Sequence, residues 1–274
     1  MFPVDLLTLN DVVMSSPSQS YMEHTQSTSS GTLWFHLSQT LKIKIDEDNI
    51  RRVPLFDDEE PDSSVLTLQH PEDPERVAAL FLCGKWWSVE SVLQTSCDAR
   101  SGLVLVQSMV ERVIMFLLSR VVDRPHQQQA LFSLHPRTET SKLLWRDGQA
   151  VGFYTIKLKG SLCDGWSGRC FLLPVLDTVM VRRGYRRRGF GLEILQDFCT
   201  WFSSEQFLGL SSPLSYSMAA VCRKFLQHHV EHRERLYEVQ APGDWNQRRN
   251  IWLNLQLRSY EPSSEETQER EHVY

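Results

Sequence analysis

A mixed α/β fold is what this sequence predicts, and three stretches predict it. Residues 143–145 and 151–156 read as two strands around a turn. Residues 171–181 form a further β-rich run. Leu192, Leu195, Phe198, Cys199 and Phe202 then recur at helical spacing directly after it.

Taken in order, the elements are these. Residues 15–32 are dominated by Ser, Thr and Gln and read as a linker, so residues 1–32 are expected to be a flexible N-terminal segment. Trp34, Phe35 and Leu37 open the first ordered element, and alternation at Leu41, Ile43 and Ile45 predicts a strand. Residues 46–62 hold eight acidic residues and two arginines and read as a solvated loop. Residues 103–122 are the most apolar stretch. Their length would allow a bilayer span, but Glu111 and Arg112 sit at the middle, where a charge costs about 2.5–3.5 kcal/mol. Val106, Val110, Val113, Ile114, Leu117 and Val121 share one helical stripe, which predicts a packed helix with a strand before it. Asp147-Gly148 suits a tight hairpin turn that needs positive φ at both residues. Residues 235–239 and 251–257 give the last strand signals.

Composition narrows the class. The chain has 274 residues, 41% hydrophobic and 23% charged, within the ordinary globular range. A domain of this size buries about 75% of its unfolded surface and needs no disulfide staple. The six cysteines form no C-x-x-C pair, so no zinc knuckle can be assembled, and a reducing compartment fits better than secretion. The opening residues lack the basic start of a signal peptide. Net charge is −5, and residues 259–274 alone hold five Glu and one Arg, which leaves the rest near neutral. That tail reads as acidic and disordered. Residues 33–258 are then expected to be a single domain, and the charge argues against a protein whose whole surface binds nucleic acid, though not against a local basic site.

The chemistry concentrates in residues 182–191, Arg-Arg-Gly-Tyr-Arg-Arg-Arg-Gly-Phe-Gly, set between a strand ending at Val181 and an amphipathic helix. A helix start leaves backbone N–H groups without partners and adds about half a positive charge. Phosphate is the natural ligand of such an end. Gly189 and Gly191 lack Cβ atoms and let an anion approach the backbone, while Arg186, Arg187 and Arg188 add fixed charge and donors. Neither the Walker spacing nor the three-glycine dinucleotide fingerprint is present. The same run also fits a nuclear-import or nucleic-acid patch, but its place between strand and helix favours a structured loop over direct nucleic-acid binding.

Arg186-x-x-Gly189-x-Gly191 in this strand–turn–helix setting is similar to the acetyl-coenzyme A loop of the GNAT N-acetyltransferase superfamily, and the hairpin at Asp147-Gly148 resembles that superfamily's second and third strands. The resemblance covers about residues 141–203, with weaker support to Leu257. It implies a mostly antiparallel, splayed sheet flanked by helices. It also implies acetyl-CoA or another acyl-CoA as cofactor, with the pyrophosphate on the backbone of Arg187, Arg188, Gly189, Phe190 and Gly191 and the pantetheine beside Val179 and Val181. The whole chain resembles the soluble lamin-associated protein family more closely still, through GKWWSVESVL, LLWRDGQAVGFYTIK, VMVRRGYRRRGFG and VCRKFL. That implies a nuclear connection, and a nuclear or cytoplasmic location.

An amine acceptor must be neutral to attack a thioester. A lysine is about 3.4 pH units too basic at neutrality, so a base is needed, and the departing thiolate wants an acid. Asp177 shares strand parity with Val179 and Val181 and is the candidate base. The resemblance places the acid in the helix containing residues 215–225, where the best register gives Cys222. Tyr216 lies a turn and a half too early, and Tyr237 is a more distant alternative. His228-His229-Val230-Glu231-His232 matches the H-x-x-E-H zinc signature without a third ligand, so no metal is expected. Two functions fit: an N-acyltransferase acting on an amine whose identity the sequence does not encode, or an inactive GNAT-like module binding a nuclear protein.

Overall fold

The computed structural model describes residues 1–6, 33–57, 64–123, 134–164 and 166–257. The linker at 15–32 and the acidic tail at 259–274 lie outside them. The chain divides into two compact units, residues 1–153 and 154–274.

The first unit opens with a 3-10 turn, Pro3–Asp5, whose Pro3 and Val4 are buried. The first six residues, expected within a flexible segment, thus form a turn with a buried face. The predicted strand is the second arm of an antiparallel hairpin, β1 (Leu33–His36) and β2 (Lys42–Ile45). A four-stranded antiparallel sheet follows in sequential order, β3 (Ile50–Pro54), β4 (Ser64–His70), β5 (Asp73–Leu82) and β6 (Lys85–Ser88). The acidic stretch is thus not all loop. Ile50 is buried while Arg51 and Arg52 face outward, so β3 hides one aliphatic side chain beneath a charged surface. Ile43, Ile50, Leu66, Leu68, Ala79 and Phe81 form the core.

A short helix α1 (Val89–Val92) and strand β7 (Gly102–Leu105) lead to α2 (Met109–Leu117), where a strand–helix pair is predicted. The charges that argue against a membrane span have structural tasks. Glu111 accepts from the Ser108 amide at 3.0 Å while Ser108 Oγ accepts from the Glu111 amide at 3.3 Å, a reciprocal helix cap. Arg112 donates to the Glu139 carbonyl at 2.7 Å and to Ser141 Oγ at 3.1 Å. No helix among the described residues is long and apolar enough to cross a membrane. The predicted hairpin is β8 (Thr140–Arg146) and β9 (Gln149–Lys157), turning through Asp147 at φ +49° and Gly148 at φ +71°. Within this unit the sheet order is β9-β8-β7, and the unit boundary falls inside β9.

In the second unit, β10 (Val175–Val181) is followed by a 3-10 turn at Arg183–Tyr185, then α3 (Phe190–Trp201), β11 (Leu208–Ser211), α4 (Tyr216–His228), β12 (Leu236–Val239), β13 (Arg248–Asn250) and α5 (Ile251–Gln256). Strand order is β13-β12-β11-β10-β9. β10/β11 and β11/β12 are parallel pairs, each joined through a helix, and β12/β13 is antiparallel. The sheet is therefore mixed. Residues 171–174 precede β10 and are not strand; Phe171 and Leu173 instead pack with Val175 and Val239. Residues 251–257 are helical rather than extended. Ile251 and Leu255 are buried four apart, whereas Leu253 and Leu257 are 60% and 76% exposed, so the apparent period of two is decoration on a helix capped by Asn250.

Candidate functional site

The site grows from the end of β10. Register joins Val175 to Gly209 and Leu176 to Leu210. β11 then stops at Ser211, ahead of Pro213, while β10 runs on to Val181. Glu238 of β12 holds the departing chain, accepting from Ser212 Oγ at 3.0 Å and from the Leu214 amide at 2.9 Å. The register of β10 with β11 ends at Leu176, so Thr178 to Val181 run beyond the β11 pairing.

Asp177 stands where the pairing ends, its side chain 29% exposed. It accepts a short hydrogen bond from Ser211 Oγ, and Lys157 Nζ lies 3.7 Å from its other oxygen. Sequence reasoning proposes Asp177 and misses both neighbours, because they come from strands 34 residues later and 20 earlier in the chain, with no local signal.

The arginine loop begins where β10 ends, and its cations are not equivalent. Arg186 Nε donates to the Val181 carbonyl at 2.8 Å, closing the loop back onto the strand. Val181, expected to offer backbone to pantetheine, thereby has its carbonyl already accepting one hydrogen bond from protein. Arg188 lies over the Tyr185 ring at 5.2 Å, with Arg182 at 5.9 Å from the same ring. Arg187 is exposed and adopts φ +62°, an unusual value for a side chain of its size. Gly189 follows at φ +89° as the N-cap of α3, with no side-chain cap, and its carbonyl accepts from Leu192 at 2.9 Å and Glu193 at 3.1 Å. The amides of Arg187, Gly189 and Gly191 have no protein acceptor among the described residues. Open space lies where a Gly189 Cβ would stand.

Gly191 also serves packing. A Cβ there would lie 2.9 Å from Val221 Cγ2, so this glycine lets α3 pack against α4. Cys222, next to Val221, is 0% exposed in the same packing layer, and burial pushes its thiol well above the ordinary range. The expected proton donor belongs to the core. Tyr237 packs edge-on against Phe207 at 5.7 Å, and Tyr216 is the exposed first residue of α4. The H-x-x-E-H run does not form one helical face, because α4 ends at His228 and His232 follows in a separate 3-10 turn. Among the described residues no three His, Cys, Asp or Glu side chains cluster as metal ligands.

Relatives match the chain, and two of them are described. Protein FAM169B of Mus musculus is 39% identical over 263 residues, covering 93% of this chain and 78% of that protein. Protein FAM169BP of Homo sapiens is 45% identical over 118 residues, covering 41% of this chain and 62% of that protein. No family model matches, and no solved structure matches.

Proposed function

The chain belongs to the FAM169B family, and we propose that its second unit binds an acyl-coenzyme A in the manner of the GNAT N-acetyltransferase superfamily. One observation carries the reading: a left-handed Gly189 sets uncapped amides at the N-terminus of α3 directly after a strand that runs beyond its pairing with β11. The amides and the helix dipole suit a diphosphate. The stretch of β10 beyond that pairing, with Val179 on it, suits an extended arm that hydrogen-bonds as a strand does. Arg187 and Arg188 supply charge at the loop, while Arg186 shapes it.

The reaction that fits this ligand is acyl transfer to an amine. The amine attacks the thioester carbonyl, Asp177 takes the amine's proton directly or through water, the C–S bond breaks as the amide forms, and the departing coenzyme A thiolate takes a proton from solvent. Isothermal titration of the full chain with acetyl-CoA tests the binding. Micromolar affinity that falls at least about tenfold in Gly189→Val is expected; a silent titration with folded protein overturns the proposal. Incubation with acetyl-CoA and a peptide library, read by mass, tests the transfer.

A second reading has its own support. Asp177 is engaged by Ser211 and Lys157, and Cys222 is buried, so the constellation suits retention of a ligand without turnover. Under that reading the protein is a GNAT-like interaction module, and the resemblance to the soluble lamin-associated family points to a nuclear partner. Tight acetyl-CoA binding without acyl transfer distinguishes it.

A further inference from the structure

Phe207, Tyr237, Trp245 and Arg248 form a group that the coenzyme reading does not use. Phe207 stands just before β11, Tyr237 is the second residue of β12, and Arg248 opens β13, the end strand of the sheet. Ser211, the partner of Asp177, ends β11, so this group and Asp177 lie toward opposite ends of that strand. Phe207 and Tyr237 are partly buried against Phe171, Leu173, Val175 and Val239. Trp245 comes from the turn between β12 and β13 and is 63% exposed. That turn is held in shape by Gln247. Its Oε1 accepts from the Gly243 and Asp244 amides at 3.1 and 3.0 Å, and its Nε2 donates to the Ala241 carbonyl at 3.2 Å.

The three rings meet pairwise near right angles. Phe207 and Tyr237 make 83° at 5.7 Å between centroids, Phe207 and Trp245 make 78° at 5.1 Å, and Tyr237 and Trp245 make 85° at 6.3 Å. A cation already stands in this corner. The Arg248 guanidinium lies 4.7 Å from the Trp245 ring and 5.5 Å from the Phe207 ring, and its Nε donates to the Gly243 carbonyl at 2.6 Å. A second cation meets like charge there, so an aromatic cage for a methylated lysine is disfavoured. Among the described residues no carboxylate pairs with Arg248, which leaves the fork of Nη1 and Nη2 for a ligand. A fork fixed on aromatic faces matches a carboxylate in two bonds. Among the described residues Tyr237 Oη and Trp245 Nε1 also have no protein acceptor, so both can donate to a ligand's carbonyls. A polyproline II segment has carbonyls that bond nothing within itself, and its rigid rings pack on aromatic walls. Trp, Tyr and Arg are also the residue types that dominate peptide and protein hot spots.

We propose that this corner is a peptide-docking site whose partner is a proline-rich segment carrying a carboxylate. A glutamate or aspartate of the partner pairs with the Arg248 fork, and the neighbouring proline packs on Trp245 and Tyr237. The inference goes beyond the coenzyme reading and does not rest on it.

Fluorescence polarisation of the full chain with a fluorescein-labelled peptide, Pro-Pro-Glu-Pro-Pro-Glu-Pro-Pro, tests this. Binding with a Kd on the order of 10 μM is expected. The same peptide with Gln in place of Glu should bind at least about tenfold more weakly, the weight of a hydrogen bond to a charged group. The peptide with trimethyllysine in place of Glu should not bind. Trp245→Ala, at an exposed position, should weaken the Glu peptide at least about tenfold with an unchanged thermal midpoint. Arg248→Lys keeps the charge without the fork and should narrow the preference for Glu over Gln to about twofold. Absence of binding to folded wild-type protein at about 1 mM, equal affinity for the Glu and Gln peptides, or preference for the trimethyllysine peptide each overturns the proposal. So does undiminished binding in Trp245→Ala. The Glu-to-Gln comparison is made on wild-type protein, so it decides the question even when a variant does not fold.

Discussion

Two glycines of the arginine loop illustrate how little residue identity says without its surroundings. Gly189 is needed for its backbone, since a side chain at φ +89° is strained by about 1–2 kcal/mol. Gly191 is needed for its volume, since a methyl group would meet Val221 at 2.9 Å. The two make opposite predictions. Gly191→Ala should lower the denaturation midpoint by an amount worth about 1–3 kcal/mol, and Val221→Ala in the same chain should recover much of the loss, a coupling read by a double-mutant cycle. Gly189→Ala has space for its methyl, so no second substitution should rescue it. The cysteines divide in the same way. Burial, partly opposed by Arg235, pushes the Cys199 thiol up to about 12, and burial raises Cys222 as well. At pH 8 a group with a pKa near 12 is about one part in ten thousand thiolate. A thiol reagent followed by mass spectrometry should label exposed Cys97 in native protein and reach Cys199 and Cys222 only on unfolding.

At the scale of elements, legibility follows exposure. β8 and β9 are readable because Asp147-Gly148 announces their turn, and α3 because a glycine turn precedes an apolar stripe. β4 is not, since six of its seven residues are buried and no alternation survives to mark a strand. α5 misleads for the opposite reason: exposed Leu253 and Leu257 complete a false period of two with buried Ile251 and Leu255. Its cap could have corrected the reading, because Asn250 Oδ1 accepts from the Leu253 amide at 2.9 Å while its Nδ2 donates to the Arg233 carbonyl at 2.8 Å. Asn250→Ala removes both bonds and should cost about 1–2 kcal/mol in denaturant unfolding. Asn250→Asp keeps the cap and loses only the second bond, so it should cost less. For the candidate site, the loop was written in consecutive residues and could be found. The Lys157–Asp177–Ser211 group could not, because strand register creates it.

At the scale of the whole chain, the sequence reads as a polar linker before a domain, yet its first residues are part of the first unit. Phe2, Thr95 and Ser96 converge on one carboxylate. Asp5 accepts from Thr95 Oγ1 at 2.5 Å, from the Ser96 amide at 2.9 Å and from Ser96 Oγ at 2.7 Å, and Arg100 stands 3.6 Å away with its side chain also paired to Glu111. The cap of α2 and the N-terminal turn therefore share one arginine. Burial alone would raise the Asp5 pKa, but the bonds from Thr95, Ser96 and Phe2 outweigh it and bring the carboxyl down to about 2, below its ordinary 3.8. A depressed acid stabilises the fold when ionised. Its contribution is complete above about pH 4 and disappears as pH falls toward 2, where folded and unfolded forms are both protonated. Screening by solvent limits the effect to on the order of 1 kcal/mol. Acid unfolding followed by circular dichroism should thus begin at higher pH in Asp5→Asn than in wild type, with the two curves converging below about pH 2. Equal acid midpoints would show that the turn is held by Pro3 and Val4 alone. Removal of residues 1–6 should cost more than Asp5→Asn, because it also uncovers the surface that Pro3 and Val4 bury.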